Sequence, residues 1–514
     1  MVRPKVVGGS SHLRSNRYNH YDATMKKVPN GFAPILALDR HGAKPLHRQI
    51  YDSFRTTIAG RNLRPGERVP STRDLALQLG ISRVPVLNAY AQLLAEGYLE
   101  TRSGSGTFVS SSMTDELPAC SHNGQQAKIH SGPRPVSRRS AILPPFKLAP
   151  WLLGWGAFSV GQLAFEHFPF QVWAKLIARY SRNVCVSALH FSDPMGSAEF
   201  REAIAGYLRT ARAVNCDPKQ IMVVSGSQQA LEISARVLLD PGDSVWIEEP
   251  GYRLARHVLM IAGAQLIPVP VDHEGLNVAT GIELCRSARC AYVTPSHQFP
   301  LGVTMSASRR LQLLHWAQKY GAWIIEDDYD SEYRYEDLPI SSLQGLDENS
   351  RVIYIGTFSK TLFPSLRLGY IVIPPDLVDR FVAIRHAMDV YPPYLYQAVL
   401  TDFINEGHLS RHIRRTRMVY GERRNALIEA IQSEFGSELE VQGADAGMHL
   451  AVTMTKPVPD RKISERAARE HLWLWPLSPC YVDKNRGQGF ILGFGSTPAK
   501  EIPKHVRHLR RMIA

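Results

Sequence analysis

The sequence predicts an α/β protein in two parts, a small N-terminal helix-turn-helix domain and a larger body built on a mostly parallel sheet. Two patterns support this prediction. Residues 36–109 contain three stretches of helical periodicity followed by a short hairpin. From about residue 165, short β-branched segments alternate with amphipathic helices. A chain of 514 residues, 44% of them hydrophobic, can bury the cores of two or three domains.

The positive charge is concentrated at the N-terminus. Residues 1–150 hold 21 Lys/Arg and 9 Asp/Glu, whereas the other 364 hold 39 and 38, so a net charge of +12 out of +13 lies in the first part. A polyanion is therefore the expected partner of the N-terminal domain. Residues 1–34 are polar and basic without any sustained period, which predicts a disordered basic extension.

Several classes of protein are excluded by simple counts. The six cysteines form no C-x-x-C pair and no zinc-ligand spacing, so we expect reduced thiols and no metal site. Basic residues interrupt every apolar stretch within residues 1–30, which argues against a signal peptide. The longest apolar stretch, 148–165, contains one proline and three glycines, and we expect it to pack in the body rather than in a membrane. The expected location is cytoplasmic, with no membrane partner.

The N-terminal domain is predicted over residues 35–110. Apolar residues at helical spacing indicate a first helix over 45–59, a second from a Ser71 cap to Leu79, and a third over 83–96 capped by Ser82. Two short strands at 98–102 and 106–109 follow as a wing. Helix, three-residue turn and helix is the DNA-binding helix-turn-helix arrangement.

The candidate DNA contacts lie at the starts of the second and third helices and on the wing. For any one pair of helices, the alternative interpretation is that these residues are solvated charges on the surface of a small helical domain. The candidates are Ser71, Arg73, Ser82, Arg83, Arg102 and Gly106.

Five strings in this domain resemble the winged-helix domain of the GntR regulators. They are PSTRDLA at 70–76, LGISR at 79–83, NAY at 88–90, EGYL at 96–99 and G-x-GTFV at 104–109. Pro85 departs from the family, whose members usually carry Thr or another polar residue there. Because proline removes one hydroxyl that could contact DNA, the resemblance implies an operator different from that of relatives.

A linker is predicted over residues 111–147, where Ser, Gly, Pro and Gln are frequent and large apolar residues are few. The body then covers 148–514. Its predicted strands are 221–224, 244–247, 290–293, 323–326, 352–355 and 369–373.

Polar motifs follow several of these strands. SGSQQAL at 225–231 would aim backbone N–H groups at an anion from a helix N-terminus. EPGY ends at Tyr252, IIEDDYD spans 324–330, and GTFSK ends at Lys360. Each motif alone has an ordinary explanation: a surface lysine, packed tyrosines, a charged loop or metal site, or an ion-paired Arg367. Together they supply every group that pyridoxal phosphate chemistry requires.

The body resembles the fold-type I aminotransferases, with large and small subdomains. Further strings that support the resemblance are DP-x-G at 193–196, TPSHQFP-x-G at 294–302 and GHL-x-RHIRR at 407–415. Joined to the winged helix, it resembles the MocR subfamily of regulators. The resemblance implies pyridoxal 5′-phosphate as cofactor and a homodimer that binds operator DNA.

The resemblance also assigns roles to individual residues. Lys360 would form the internal aldimine, Asp327 would pair with the pyridinium nitrogen and Tyr329 would hydrogen-bond the 3′-oxygen. Tyr252 would stack on the ring. The residues expected around the phosphate are Gly226, Ser227, Gln228, Thr357 and Arg367.

Two departures concern chemistry. His297 or Gln298 occupies the region where catalytic relatives keep an asparagine near the cofactor. Ile491 stands where relatives that bind an amino acid's carboxylate commonly carry arginine. An acidic effector group would then be held elsewhere, by Arg253 or Arg256, or the effector is not a simple amino acid.

The sequence thus favours a bacterial transcription regulator whose aminotransferase-like domain binds pyridoxal 5′-phosphate and senses an amino compound or the cofactor itself. Two alternatives remain. One is a catalytically active aminotransferase with a DNA-binding appendage, and the other is an architectural DNA binder that has lost the cofactor.

Overall fold

A computed structural model describes residues 38–112, 134–183, 186, 190–335, 340–483 and 487–513. The chain separates into two compact units, Met1–Pro135 and Val136–Ala514. The extension predicted over 1–34 lies outside the described residues, as do residues 113–133 of the predicted linker. The domain boundaries given above stay predictions.

The first unit is a three-helix domain with a two-stranded wing. Its elements are α1 (Leu46–Ala59), α2 (Thr72–Leu79), α3 (Arg83–Ala95), β1 (Leu99–Arg102) and β2 (Gly106–Val109). The strands pair antiparallel, with Leu99 opposite Val109. Each helix buries one apolar face, and the three faces form one core with Leu99 and Val109. Leu87 of α3 fits the apolar spacing of the sequence but is exposed.

The two predicted helix caps differ. Ser71 Oγ accepts a hydrogen bond from the Asp74 backbone N–H at 3.2 Å, as a capping residue does. Ser82 occupies the cap position of α3 but makes no capping bond with its side chain. The reason is local: Pro85 is the third residue of α3, and proline has no N–H for the hydroxyl to accept.

The second unit contains twelve described helices in chain order. They are α4 (Arg138–Ala141), α5 (Phe170–Arg182), α6 (Ala198–Arg212), α7 (Ser227–Leu238), α8 (Arg253–Ala262), α9 (Val278–Cys285), α10 (Ala307–Tyr320), α11 (Val378–Asp389), α12 (Tyr394–Asn405), α13 (His408–Phe435), α14 (Asp460–Arg469) and α15 (Ile502–Ile513).

The described strands of this unit form two sheets. The large sheet contains β3 (Ile221–Val224), β4 (Ser244–Glu249), β5 (Gln265–Asp272), β6 (Gly275–Leu276), β7 (Cys290–Val293), β8 (Trp323–Asp328), β9 (Val352–Thr357) and β10 (Gly369–Val372). The small sheet contains β11 (Leu439–Gln442), β12 (His449–Met454), β13 (Trp475–Pro476) and β14 (Gly489–Gly493).

The large sheet is mostly parallel, which confirms the predicted fold class. Its strand order is β3-β10-β9-β8-β7-β4-β5-β6. Strands β5, β4, β7, β8 and β9 pair in parallel, whereas β10 runs antiparallel to both β3 and β9. The carboxyl ends of the parallel strands therefore meet at one edge, where open α/β sheets bind their ligands.

Strand β5 was not predicted because it contains Pro268 and Pro270, which are unusual within a central strand. The structure tolerates them because β5 lies near the edge of the sheet, where its outer neighbour β6 has only two residues. Both faces of the sheet are covered. Trp246 and Trp316 stack at 3.9 Å between ring centroids on one face.

The small antiparallel sheet packs against α13, α14 and α15 to form a second subdomain core. The apolar segment 148–165 joins it in part: Phe158 is fully buried, whereas Leu153 and Trp155 are exposed by 65% and 60%. Among the described residues, no helix is long and apolar enough to cross a membrane.

One buried ion pair joins α6 to the large sheet. Arg212 Nε donates to Asp328 Oδ2 at 2.8 Å, and both side chains are less than 5% exposed. The same guanidinium donates to Ser296 Oγ at 2.7 Å and to the Ile340 carbonyl. The pair therefore fixes the end of β8 against the loop after β7.

We predict that Arg212→Met lowers the free energy of unfolding by about 3–5 kcal/mol, because it leaves the Asp328 carboxylate buried without its cation. Urea unfolding followed by tryptophan fluorescence measures the loss. Arg236→Met is the matched control, since Arg236 pairs with Glu232 at 2.7 Å on an exposed helix face and should cost about 1 kcal/mol or less. Equal losses in the two variants would contradict the prediction.

Candidate functional site

A cavity of about 280 Å³ opens at the carboxyl edge of the large sheet. Its wall includes eight of the nine residues predicted to surround a cofactor, although they come from five separate segments of the chain. These are Ser227, Gln228, Tyr252, Asp327, Tyr329, Thr357, Lys360 and Arg367. The ninth, Gly226, adjoins Arg367: a Cβ built on it would lie 3.2 Å from Nη1 of that arginine.

The Lys360 amine lies inside this cavity, on the loop that follows β9. Burial lowers its pKa from the ordinary value, against the attraction of Asp330 and Asp327. Gly161, with φ +76°, passes so close that a Cβ there would collide with the amine. A lysine with a lowered pKa is more often uncharged, and the uncharged amine is the nucleophile.

Asp327 is the second-to-last residue of β8 and is 4% exposed. Its Oδ2 accepts a hydrogen bond from the Tyr292 hydroxyl at 2.8 Å, while Oδ1 has no partner. Burial raises the pKa of this carboxyl to about 7, and the hydrogen bond from Tyr292 acts in the opposite sense. A buried acceptor without a partner fits a ligand that brings an N–H or a positive charge.

The opposite end of the cavity suits an anion. Gly226, with φ +93°, caps α7 and leaves the first N–H groups of a 12-residue helix open. Arg367 lies beside it in the left-handed conformation, with φ +50°. Thr357 Oγ1 bonds to Ser359 Oγ at 3.0 Å, so two hydroxyls also reach this region.

Aromatic rings form the walls between these two ends. The Tyr252 ring lies 5.5 Å from that of Phe299, and the Tyr329 ring lies 6.3 Å from it, both edge to face. The Tyr329 hydroxyl donates to the His297 carbonyl at 3.0 Å. Burial raises the pKa of Tyr252 to about 12, so its hydroxyl stays protonated at neutral pH.

Three further buried side chains, those of His297, Asp330 and His449, lie close together beside Tyr329. Both carboxylate oxygens of Asp330 lie 3.1 Å from His297 Nδ1, and one ligand atom from each of His297, Asp330 and His449 falls within 4.8 Å of the others. His449 Nε2 donates to the Pro300 carbonyl at 3.1 Å, which leaves Nδ1 as its acceptor atom. Burial holds the pKa of His449 well below its usual value, so the ring stays uncharged.

Asp330 and His449 also line the cavity, yet sequence reasoning did not select them. Asp330 lay within the IIEDDYD motif and could have been proposed. No motif in the sequence around His449 indicated a role in the site. Its side chain reaches the cavity from β12 of the small sheet, far along the chain from the other motifs.

Neither His297 nor Gln298 is among the residues of the described cavity wall, whereas the next residue, Phe299, is one of them. Gln298 Nε2 donates to the carbonyls of Pro250 and Phe299 at 2.8 and 2.7 Å. These bonds connect the loop after β7 to the loop after β4.

Neither alternative carboxylate partner reaches the described cavity wall. Arg253 is exposed, and Arg256 donates to the Pro479 carbonyl at 2.7 Å. Ile491 is fully buried in a small apolar cluster that also contains Phe299 and Leu301.

All six candidate DNA contacts are exposed on the first unit. Arg83 Nε donates to Thr72 Oγ1 at 3.0 Å, which holds the arginine against α2. Arg102 bonds to Glu100 and lies 4.6 Å above the Phe108 ring, so part of its charge is already paired.

Comparisons with known proteins agree with this geometry. Residues 46–109 match the gntR family of bacterial regulatory proteins, and residues 155–490 match aminotransferase class I and II. The chain is 40% identical to the probable rhizopine catabolism regulatory protein MocR of Rhizobium meliloti, over 93% of this chain and 95% of the relative. It is 30% identical to the pyridoxine biosynthesis transcriptional regulator PdxR of Corynebacterium glutamicum, over 90% of this chain and 94% of the relative.

A solved structure with a similar body is the α-aminoadipate aminotransferase LysN of Thermus thermophilus, complexed with N-(5′-phosphopyridoxyl)-L-leucine. The two share 28% identity with a TM-score of 0.65, over 70% of this chain and 92% of that chain. A domain of this family implies dependence on pyridoxal phosphate. Because relatives cover its whole architecture, the chain belongs to the gntR family of bacterial transcription regulators, in the group that includes MocR and carries an aminotransferase class I and II domain.

Proposed function

We propose that this regulator binds pyridoxal 5′-phosphate in the cavity of its body, senses a small amino compound or the cofactor itself there, and binds operator DNA through its winged helix. The observation that supports this most directly is the composition of one cavity. It holds the Lys360 amine, the unpartnered Asp327 oxygen, and Arg367 beside the N-terminus of α7.

The residues present fit the proposed cofactor in three separate respects. Asp327 Oδ1 lacks the donor that a ring N–H would provide. Gly226 and Gly161 keep open space that a Cβ would fill, next to Arg367 and the Lys360 amine respectively. The amide nitrogen Nε2 of Gln228 is also buried without a partner at the anion end.

When bound, pyridoxal 5′-phosphate supplies an aldehyde that condenses reversibly with amines. Lys360 would provide the resident amine, and its lowered pKa favours the reactive uncharged form. Asp327 would hold a proton on the ring nitrogen through Oδ1. Arg367 and the N–H groups at the start of α7 would orient the phosphate.

A second amine could then act as a signal. It would compete with the Lys360 amine for the cofactor, and the displaced lysine side chain would remain in the cavity near Asp330 and Asp327. Such a rearrangement at a buried site would alter which arrangement of the protein is more stable. An effector acts on DNA binding only to the extent that it binds one arrangement better than the other.

Catalytic turnover is the second candidate function, and one observation argues against it. Ile491 fills the place of the arginine that commonly holds a substrate carboxylate, and it is sealed in an apolar cluster. A regulator that only binds its effector does not require an arginine at this position.

We also propose a cytoplasmic homodimer that binds two half-sites. Large apolar side chains remain exposed on the second unit, as expected of a surface that a second copy covers. Phe170 is 58% exposed and Phe191 is 87% exposed. Their burial in a dimer would remove an unfavourable contact with water.

We predict that the purified protein absorbs visible light after incubation with pyridoxal 5′-phosphate and that Lys360→Ala abolishes this band, because the substitution removes the amine that forms the covalent bond. Lys175→Ala, at an exposed lysine of α5, should keep the band. A wild-type protein without any visible band would contradict cofactor binding.

Asp327→Asn should weaken retention of the cofactor roughly tenfold to a hundredfold, since a hydrogen bond to a charged group contributes about 1.5–3 kcal/mol. Fluorescence titration of the cofactor measures the affinity. Asp376→Asn changes an exposed aspartate and serves as the control. Unchanged affinity in Asp327→Asn would remove this residue from the proposed site.

We expect no steady turnover when an amino donor and a keto acid are supplied together to the cofactor-loaded protein. An amine that acts only as an effector should shift the visible spectrum once and then leave the keto acid unconsumed. Continuous formation of a new amino acid, lost in Lys360→Ala, would instead establish the aminotransferase alternative.

A further inference from the structure

The recognition helix α3 is apolar on two faces. One face buries Val86, Ala89 and Leu93 in the core of the first unit. On the other, Val84 is 62% exposed and Leu87 is 42% exposed, and the three-residue spacing makes them neighbours. A helix face in water is ordinarily charged or polar, so exposed apolar side chains on a second face of α3 indicate a surface that a partner covers.

Two arginines stand near the starts of α2 and α3. Arg83 begins α3 and is held against α2 by its bond to Thr72, while Arg73 is exposed on α2. Helix α3 itself contains no acidic residue. The partner that covers Val84 and Leu87 must therefore offer apolar groups within a negatively charged framework.

The DNA major groove offers both. It admits an α-helix between two phosphate chains, and the methyl group of thymine is the apolar feature that its base edges present. Asn88 is exposed on the same face, four residues after Val84, and an asparagine amide can bond adenine N6 and N7 together. One A·T pair thus presents partners for both kinds of side chain.

We propose that Val84 and Leu87 recognise thymine methyl groups and that Asn88 recognises an adjacent adenine, so that the centre of each operator half-site consists of A·T pairs. The inference rests on the proposed binding of operator DNA and specifies what that surface reads. Arg73 and Arg83 contribute the phosphate contacts that hold α3 in the groove.

The test begins with the full-length protein and a pool of random duplex DNA, from which repeated selection recovers the preferred site. Each thymine of that site is then replaced singly by uracil, which removes the 5-methyl group and leaves base pairing intact. We expect one or two replacements per half-site to weaken binding about fourfold at constant salt, the effect of exposing one methyl group.

The variants assign the effect to residues. Val84→Ala and Leu87→Ala should each bind the unmodified site more weakly and lose the uracil penalty at one position. Leu77→Ala is the matched control, because Leu77 is 78% exposed on α2, outside the proposed surface, and should retain every penalty. Circular dichroism verifies folding, which these exposed positions should not disturb.

Three results would overturn the proposal. A selected site with G·C pairs at its centre excludes thymine recognition. Full uracil penalties in both α3 variants would assign the methyl groups to other residues. A change in oligomeric state, with DNA affinity intact, would show that this face docks protein. Failure to bind any duplex would be a different result from these three, because it would overturn the proposed operator binding as well as this inference.

Discussion

Three consecutive carboxylates at the end of β8 are buried, and the site depends on how each is compensated. Side chains alternate along a strand, so Glu326 and Asp328 face one side of the sheet and Asp327 faces the other. Glu326 accepts from two backbone N–H groups, and Asp328 has Arg212. Asp327 and Asp328 each keep one oxygen without a hydrogen-bond partner, and Asp327 lies on the side where the cavity opens.

Burial moves two functional groups of the cavity toward neutrality from opposite directions. It raises the pKa of Asp327 to about 7 and lowers that of Lys360, because a low dielectric disfavours any charged form. A ligand with a phosphate and a protonated ring nitrogen would restore charge where the cavity lacks it. Binding of such a ligand would therefore stabilise the site.

The two units differ in net charge, and this difference matches their proposed functions. The N-terminal part carries nearly the whole net positive charge, and its helix α3 exposes Val84 and Leu87. The body is close to neutral, and one cavity brings together Lys360, Arg367 and the unpartnered Asp327 oxygen. A regulator needs both properties, since one unit meets a polyanion and the other must discriminate among small molecules.

The sequence by itself determined what local chemistry controls: the helix and strand periods, the mostly parallel sheet, and the motifs that contain Tyr252, Asp327 and Lys360. These are readable because strand ends and helix starts are specified by neighbouring residues. Even the missing side-chain cap bond of Ser82 has a local cause, because Pro85 has no N–H to donate to it. The tertiary structure alone decided that His449 enters the cavity and that Gly161 leaves room for the lysine, because such contacts join segments far apart in the chain and depend on how the sheets pack.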